Sequence, residues 1–149
     1  MRAIVQRVSQ ASVSVDGEVV GRCGPGYLLL VGVHGNDTEA NAVKLAEKIA
    51  TLRIFNDAEG KMNLAFADLP SSDLPRILAI SQFTVYGDVS KSRRPSFVES
   101  APFEVGRLLF DHFVAELRAR DLTVETGRFG EHMEVCLVND GPVTLVVDV

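Results

Sequence analysis

Five consecutive apolar residues, Tyr27-Leu28-Leu29-Leu30-Val31, follow the breaker Gly24-Pro25-Gly26. A strand with one wet face alternates apolar and polar positions, so an unbroken run after a turn predicts a strand covered on both faces. Such a strand obliges the rest of the chain to supply two covering layers. With 149 residues, 46% of them hydrophobic, one domain over 1–149 can do so.

Candidate layers lie on either side of that run. Ala3 to Val8 reads as a strand, and Ser12 to Val15 and Glu18 to Gly21 flank Asp16-Gly17, a type I′ hairpin signal. Asn36-Asp37-Thr38 offers N-caps for a helix from Glu39 to Leu52 that puts Ala42, Val43, Ala46, Ile49 and Ala50 on one face. Arg53-Ile54-Phe55 reads as a short strand, Asn56 to Gly60 as a turn into Lys61-Met62-Asn63-Leu64, and Arg76 to Ile80 as a further strand. Ser100 is placed to cap a second helix with Pro102 in its first turn and Phe103, Phe110, Phe113, Val114 and Leu117 on one side. Leu122 to Glu125, Met133 to Val138 and Val143 to Val149 complete the strands. The order predicts an α+β (mixed α/β) domain, two main helices packed on a largely antiparallel sheet.

Two polar interruptions stand out in this pattern. Asn139-Asp140-Gly141-Pro142-Val143-Thr144 separates two apolar runs and reads first as a hairpin, or else as a break in a strand ladder. Ser81-Gln82-Phe83-Thr84 directly follows Ile77 to Ile80, and the two sites can meet across a sheet or a subunit interface. Arg7 beside Val8 reads ordinarily as a solvated or edge-guarding residue, although its planar fork can also pin backbone carbonyls.

Charge limits the partners. Fifteen Lys and Arg against 20 Asp and Glu give −5 and a pI near 5.2, which argues against a general nucleic-acid coat and against DNA as a partner. Only Gly87 to Ser96 is locally basic, with Lys91, Arg93 and Arg94 against Asp88; it is either a solvated loop or a phosphate contact. No apolar segment reaches the ~18 residues of a spanning helix, and Met1-Arg2 leads into a strand-like run, so a cytoplasmic protein without membrane contact is expected. Cys23 and Cys136 stand far apart without zinc-ligand spacing and read as reduced and structural.

No nucleophile elbow, His-Glu-x-x-His, Walker loop or dinucleotide fingerprint is present. Ser81, Thr84 and Thr144 are candidate hydroxyl nucleophiles, but His34, His112 and His132 have no sequence relation to them.

Gln6-Arg7-Val8, Arg53-Ile54-Phe55 with Gly60-Lys61-Met62-Asn63, Ser81-Gln82-Phe83-Thr84, Arg93-Arg94-Pro95-Ser96, Gly127-Arg128-Phe129-Gly130 and Asn139 to Thr144 together resemble the D-aminoacyl-tRNA deacylase family over nearly the whole chain. The resemblance implies a homodimeric cytoplasmic hydrolase that cuts the ester between a D-amino acid and the 3′ end of tRNA, without metal or cofactor; a filter that excludes the L side chain would have nothing to exclude in glycine, so cleavage of glycyl-tRNA is expected as well. It implies a cis Gly141-Pro142 peptide that reaches into the partner subunit's pocket, a state that sequence alone would not select because X-Pro bonds are cis in roughly 5–6% of folded cases. Ser81, Gln82, Phe83 and Thr84 would form the catalytic wall, Arg7 would hold the Gly-Pro peptide, and Phe129, Met133 and Thr144 would belong to substrate binding and chiral selection. Backbone N–H groups near Gln82 and Phe83 would hold an oxyanion. An aminoacyl ester beside a ribose 2′-hydroxyl is already reactive, so attack by positioned water is expected over a covalent intermediate on Thr84.

The sequence departs from the family pattern at Val85, at Ser92, and at Glu131-His132, the last on the expected pocket rim. A non-catalytic RNA-binding module and a histidine-based metal hydrolase are the competing readings.

Overall fold

The computed structural model describes all of residues 1–149. Its main sheet contains β1 (Arg2–Val15), β2 (Glu18–Cys23), β3 (Gly26–Gly32), β6 (Ile77–Ser81), β7 (Val124–Thr126) and β8 (Glu134–Asp148). A small hairpin is made of β4 (Phe55–Asn56) and β5 (Met62–Leu64), and the helices are α1 (Glu39–Thr51) and α2 (Phe103–Arg118). β1 pairs antiparallel with β2, β3 and β8, while β3–β6 and β6–β7 are parallel. The sheet is therefore mixed.

β3 is covered on both faces, as its composition requires. Tyr27, Leu29 and Val31 join Ala3, Val5, Ile77 and Ala79 in a core against α1 and α2. Leu28 turns the other way and packs with Leu78, Ile80, Ala11 and Val13. That second layer comes from β1 itself. A one-residue bulge near Ser9 shifts the register between Val8 and Gln10, so Ala11 and Val13 face away from the helices although Ala3 and Val5 face them. The β1–β2 hairpin then curls over β6 until a Cβ at Gly21 would stand 2.6 Å from the Thr126 carbonyl of β7. Arg22 N–H donates to Glu125 Oε2 at 2.6 Å across the same gap.

Several local expectations need correction. The inward stripe of α1 is Ala42, Leu45, Ala46 and Ile49, with Val43 and Ala50 only half-buried; Thr38 is the N-cap, its N–H donating to Asn41 Oδ1 at 2.9 Å. Pro102, not Ser100, precedes the first turn of α2, because the Ser100 hydroxyl donates to the Phe83 carbonyl at 2.9 Å. Phe110, Phe113, Val114 and Leu117 are buried, but Phe103 is exposed. Asp16 and Gly17 take positive φ (51° and 79°) in the expected hairpin.

The largest correction concerns Asn139 to Thr144, which is not a hairpin. β8 runs past it as one strand of 15 residues, both halves paired with β1. Gln6 faces Thr144 and Val8 faces Asn139, so Asp140 to Val143 bulge out opposite the single residue Arg7. Pro142 has no N–H to give a ladder, and a bulge removes that demand.

Gly26 marks the tightest approach in the sheet, since a Cβ there would lie 1.8 Å from the Arg76 carbonyl oxygen that accepts from Tyr27 N–H. Gly26→Ala should lower stability by at least about 1–3 kcal/mol. A urea denaturation midpoint equal to that of the wild type would contradict this packing.

Candidate functional site

A cavity of about 580 Å³ opens where the parallel strands β3 and β6 end. The carboxyl ends of parallel strands are where a mixed sheet ordinarily binds small ligands. Val31 and Val33 form one side and Ile80, Ser81, Gln82 and Phe83 another; Phe103, Gly106 and Phe110 of α2 close the back. The segment Phe129 to Met133 forms the remaining wall, with the Phe129 ring edge-on to Phe103 at 5.1 Å.

The structure thus brings five of the expected site residues, Ser81, Gln82, Phe83, Phe129 and Met133, onto one cavity. Thr84 lies just beyond it in a 3₁₀ turn, Phe83–Tyr86, and its exposed hydroxyl is engaged by the Gln82 side-chain amide rather than by a base. Gln82 N–H is committed to the Val31 carbonyl at 2.8 Å, which removes it from the oxyanion donors expected near Gln82 and Phe83. Phe83 and Thr84 open the turn, so their N–H groups have no partner inside it.

His132 and Glu131 line the cavity mouth, the rim where the family resemblance put them, so one of the three histidines does reach the pocket. His34 sits apart against Tyr86, its Nδ1 accepting from Asn36 N–H at 3.1 Å, and His112 lies on α2 beside Glu116. Cys23 is buried, and desolvation pushes its thiol up to about 11, which keeps it inert. Cys136 is exposed on β8, contrary to the structural role expected for it.

Lys91, Arg93 and Arg94 are exposed on a loop closed by the Asp88–Ser96 pairing. Ser90 N–H, at 2.8 Å from Asp88 Oδ1, holds that carboxylate below its usual range. The loop runs straight into Phe97, which lines the cavity and meets the Phe83 ring edge-on at 5.0 Å.

Gly141, Pro142, Arg7 and Thr144 form a second group outside the cavity. Arg7 is 6% exposed, not the solvated residue its strand position suggested. Its Nη1 donates to the Ile54 carbonyl at 2.6 Å and to Asn56 Oδ1 at 3.0 Å, and its Nε lies 2.9 Å from Asp140 Oδ2. The Nε–carboxylate contact is an ion pair rather than an aligned hydrogen bond. Gly141, in a cis peptide with Pro142 and at φ 113°, sits so close that a Cβ would come within 2.9 Å of Arg7 Nη2. Asn139 and Thr144 close the base of the bulge with side chains 3.1 Å apart. The Asn139 amide orientation that satisfies every neighbour accepts from Thr144 and donates to the Arg7 carbonyl at 2.9 Å. Gly141 and Pro142 are exposed and project from the sheet edge.

Fold and site define a mixed-sheet protein with one apolar-walled, small-ligand cavity beside a basic loop and a rigid exposed Gly-Pro bulge. The chain belongs to the D-Tyr-tRNA(Tyr) deacylase family, whose model matches residues 4–148. It is 55% identical to the D-aminoacyl-tRNA deacylase of Symbiobacterium thermophilum over 148 residues, covering 99% of this chain and 95% of that one. The protein of the same name from Desulfitobacterium hafniense is 54% identical over 148 residues, covering 99% and 97%. Among solved structures, a c-Myc DNA Unwinding Element Binding Protein superposes with a TM-score of 0.90 at 35% identity, covering 100% of this chain and 99% of that one. A probable eukaryotic D-amino acid tRNA deacylase shares the fold, with a TM-score of 0.82 at 20% identity over 99% and 98% of the two chains.

Arg7→Met keeps the apolar stem but leaves the Ile54 carbonyl without its buried donor, which should cost about 1–3 kcal/mol. Amide exchange from Gly141 to Thr144 should quicken more than exchange in β3. Equal exchange in wild type and variant would show that Arg7 does not hold the bulge.

Proposed function

We propose that this chain hydrolyses the ester of D-aminoacyl-tRNA, releasing tRNA and the free D-amino acid, and thereby removes residues of the wrong hand from translation in the cytoplasm. The reading is carried by the cavity that joins Ser81, Gln82 and Phe83 to Phe129 and Met133, in a chain 55% identical to curated deacylases along its whole length. The cavity can seat an aminoacyl-adenosine end, with aromatic and apolar walls for a base and polar groups of Ser81, Gln82 and Ser100 near the ester.

The Gly-Pro bulge and the cavity lie apart within one chain, which supports a homodimer in which Gly141-Pro142 of each subunit enters the pocket of the other. β8 favours the same reading. It pairs with β1 alone, and Leu137, Val138, Leu145 and Val146 are exposed along it, a long apolar edge of the kind that another chain covers. A D- and an L-residue differ only in which direction H and side chain take at Cα. Main chain that fills the L side-chain direction therefore rejects every L-residue regardless of type. Glycine has nothing to exclude and passes.

Attack by water fits the site better than a covalent intermediate, since Thr84 has no base and its hydroxyl is held by Gln82. Orientation of a reactive ester against water and its own ribose 2′-hydroxyl can contribute on the order of 7–11 kcal/mol. The N–H groups of Phe83 and Thr84 are the donors available for the developing oxyanion. Neither metal nor cofactor has a step to perform. Lys91, Arg93 and Arg94 take tRNA phosphates at the cavity's edge. Duplex DNA is not expected as a partner, since the one short basic loop of an acidic chain offers no extended basic face.

Incubation with matched D-tyrosyl-, L-tyrosyl- and glycyl-tRNA should release D-tyrosine and glycine, spare the L-ester, and proceed equally in EDTA. Binding without release would leave an RNA-binding module, and loss of activity in chelator would leave a metal hydrolase. Thr84→Ala should retain substantial deacylation with no trapped adduct, whereas a 2′-deoxy terminal ribose should cost far more rate; an acyl group found on Thr84 or Ser81 by mass spectrometry would overturn water attack. Replacing Lys91, Arg93 and Arg94 together by Ala should weaken tRNA binding and flatten its salt dependence by roughly 0.7–0.9 in log-log slope per lost phosphate contact. An unchanged slope would place the tRNA contact elsewhere.

A further inference from the structure

The β4–β5 hairpin is part of the sequence pattern, yet it touches neither the cavity nor the basic loop. It does touch Arg7. The Ile54 carbonyl and Asn56 Oδ1 together occupy Nη1, while Asp140 Oδ2 faces Nε from the other side. The guanidinium is thus gripped at two of its corners by groups from different parts of the chain, and its third corner, Nη2, abuts Gly141. A planar fork held in this way cannot swing, unlike a single-point lysine ammonium.

The hairpin end of this arrangement is itself fixed to the core. Phe55, between the two acceptors, stacks on Tyr27 at 5.1 Å with an interplanar angle of 5°, and Phe66 packs against both rings. Tyr27 is fully buried and donates its hydroxyl to the Leu52 carbonyl at 3.3 Å. A continuous series of packed groups therefore runs from the fully buried β3 through Phe55 and Asn56 to Arg7, and from there to Asp140 and Gly141.

We propose that Asn56 and Asp140 are specificity-positioning residues for the deacylase, fixing with Arg7 where the Gly141-Pro142 main chain stands. The inference rests on the reading of that peptide as the chiral selector. A filter that works by exclusion needs accuracy finer than a methyl group, because the L side chain enters wherever the main chain retreats. Asp140 supplies the only carboxylate facing the buried guanidinium among its contacts, and Asn56 supplies the side-chain acceptor that sets the guanidinium's rotation. Neither residue touches the cavity. Their loss should therefore act on the choice of hand rather than on chemistry in general.

The test compares kcat/KM for D- and L-tyrosyl-tRNA in the full-length protein, with thermal melting followed in parallel. Asn56→Leu and Asp140→Ala should raise L-ester hydrolysis relative to D by roughly ten- to a hundredfold, the scale of a misplacement near 1 Å. Asn56→Asp keeps an acceptor at the same reach and should restore discrimination to near the wild-type value, which a purely structural role would not predict. Asp140→Asn, at a half-exposed position, serves as the folded variant should the alanine form melt early, and should relax discrimination in the same direction. Gly141→Ala separates the two readings, since its Cβ would meet Arg7 Nη2 and Val143 Cγ2 at 2.9 Å and must move the peptide. If Gly141→Ala loses discrimination while Asn56→Leu and both Asp140 variants keep it, the positioning role is wrong and the selector stands. If Gly141→Ala also keeps it, the selector reading falls and takes the positioning role with it.

Discussion

The whole architecture follows from the need to bury β3 on two faces. One face is covered by helices, which any amphipathic segment can supply. The other has no helix left for it, so β1 must change face within its own length. The Ser9 bulge does this, sending Ala11 and Val13 over Leu28, Leu78 and Ile80 and bringing β2 across to β7. A flat sheet would leave Leu28 and Leu78 wet, a loss of about 1.5–3 kcal/mol for each side chain. The same curl leaves β8 paired on one side only, and it opens a cavity at the carboxyl ends of β3 and β6. Cavity and exposed edge are thus two results of one packing requirement.

Arg7 shows how a buried charge can serve position rather than stability. Taking a guanidinium out of water is costly, and paired buried ions are seldom more stable than apolar replacements of the same size. What the Arg7 cluster supplies instead is direction. Two acceptors, the Ile54 carbonyl just before β4 and Asn56 Oδ1 within it, and the Asp140 carboxylate of β8 fix one planar group, and that group fixes a four-residue bulge that has no ladder bonds of its own opposite it. A bulge held only by its own turn would wander in the manner of a surface loop.

Fold class, both helices and most strands were legible because each follows from local periodicity, as the two-faced run at Tyr27 to Val31 illustrates. The errors have a common origin in long-range pairing. Asn139 to Thr144 carries every local mark of a hairpin, and only the 14-residue length of β1, able to pair with both flanks, makes it a bulge instead. Arg7 looked solvated because nothing nearby in sequence forecasts Ile54 and Asn56 as its acceptors. Ser100 was available as a cap until the Phe83 carbonyl claimed its hydroxyl. Of the site, the Ser81 to Thr84 stretch was visible as a polar break after an apolar strand, whereas His132 was expected at the cavity rim only through the family resemblance, because its arrival there depends on the path of the 127–133 segment around α2. The family resemblance grouped Phe129 with Ser81, a pairing for which spacing alone offers no argument.

An acidic protein that handles a polyanion has to separate attraction from chemistry in space, and the proposed roles of loop and cavity do so. The cationic loop at Lys91 to Arg94 is displaced from the cavity by the length of Pro95 to Phe97, and the cavity wall itself is mainly apolar, with neutral Ser81, Gln82 and Ser100 as its inner polar groups. On the proposed reading, a lysine or arginine inside the pocket would attract the phosphate and ribose of any tRNA end and so bind deacylated ends as readily as aminoacylated ones. The net charge of −5, which already includes the cationic loop, further disfavours nonspecific retention of the released tRNA. On that reading, attraction is limited to the approach of the acceptor end, while discrimination is left to a mainly apolar cavity, with Glu131 and His132 only at its mouth, and to a peptide without side-chain functionality. Such a division suits an enzyme that must accept many side chains and refuse one handedness, because neither part recognises the side chain itself.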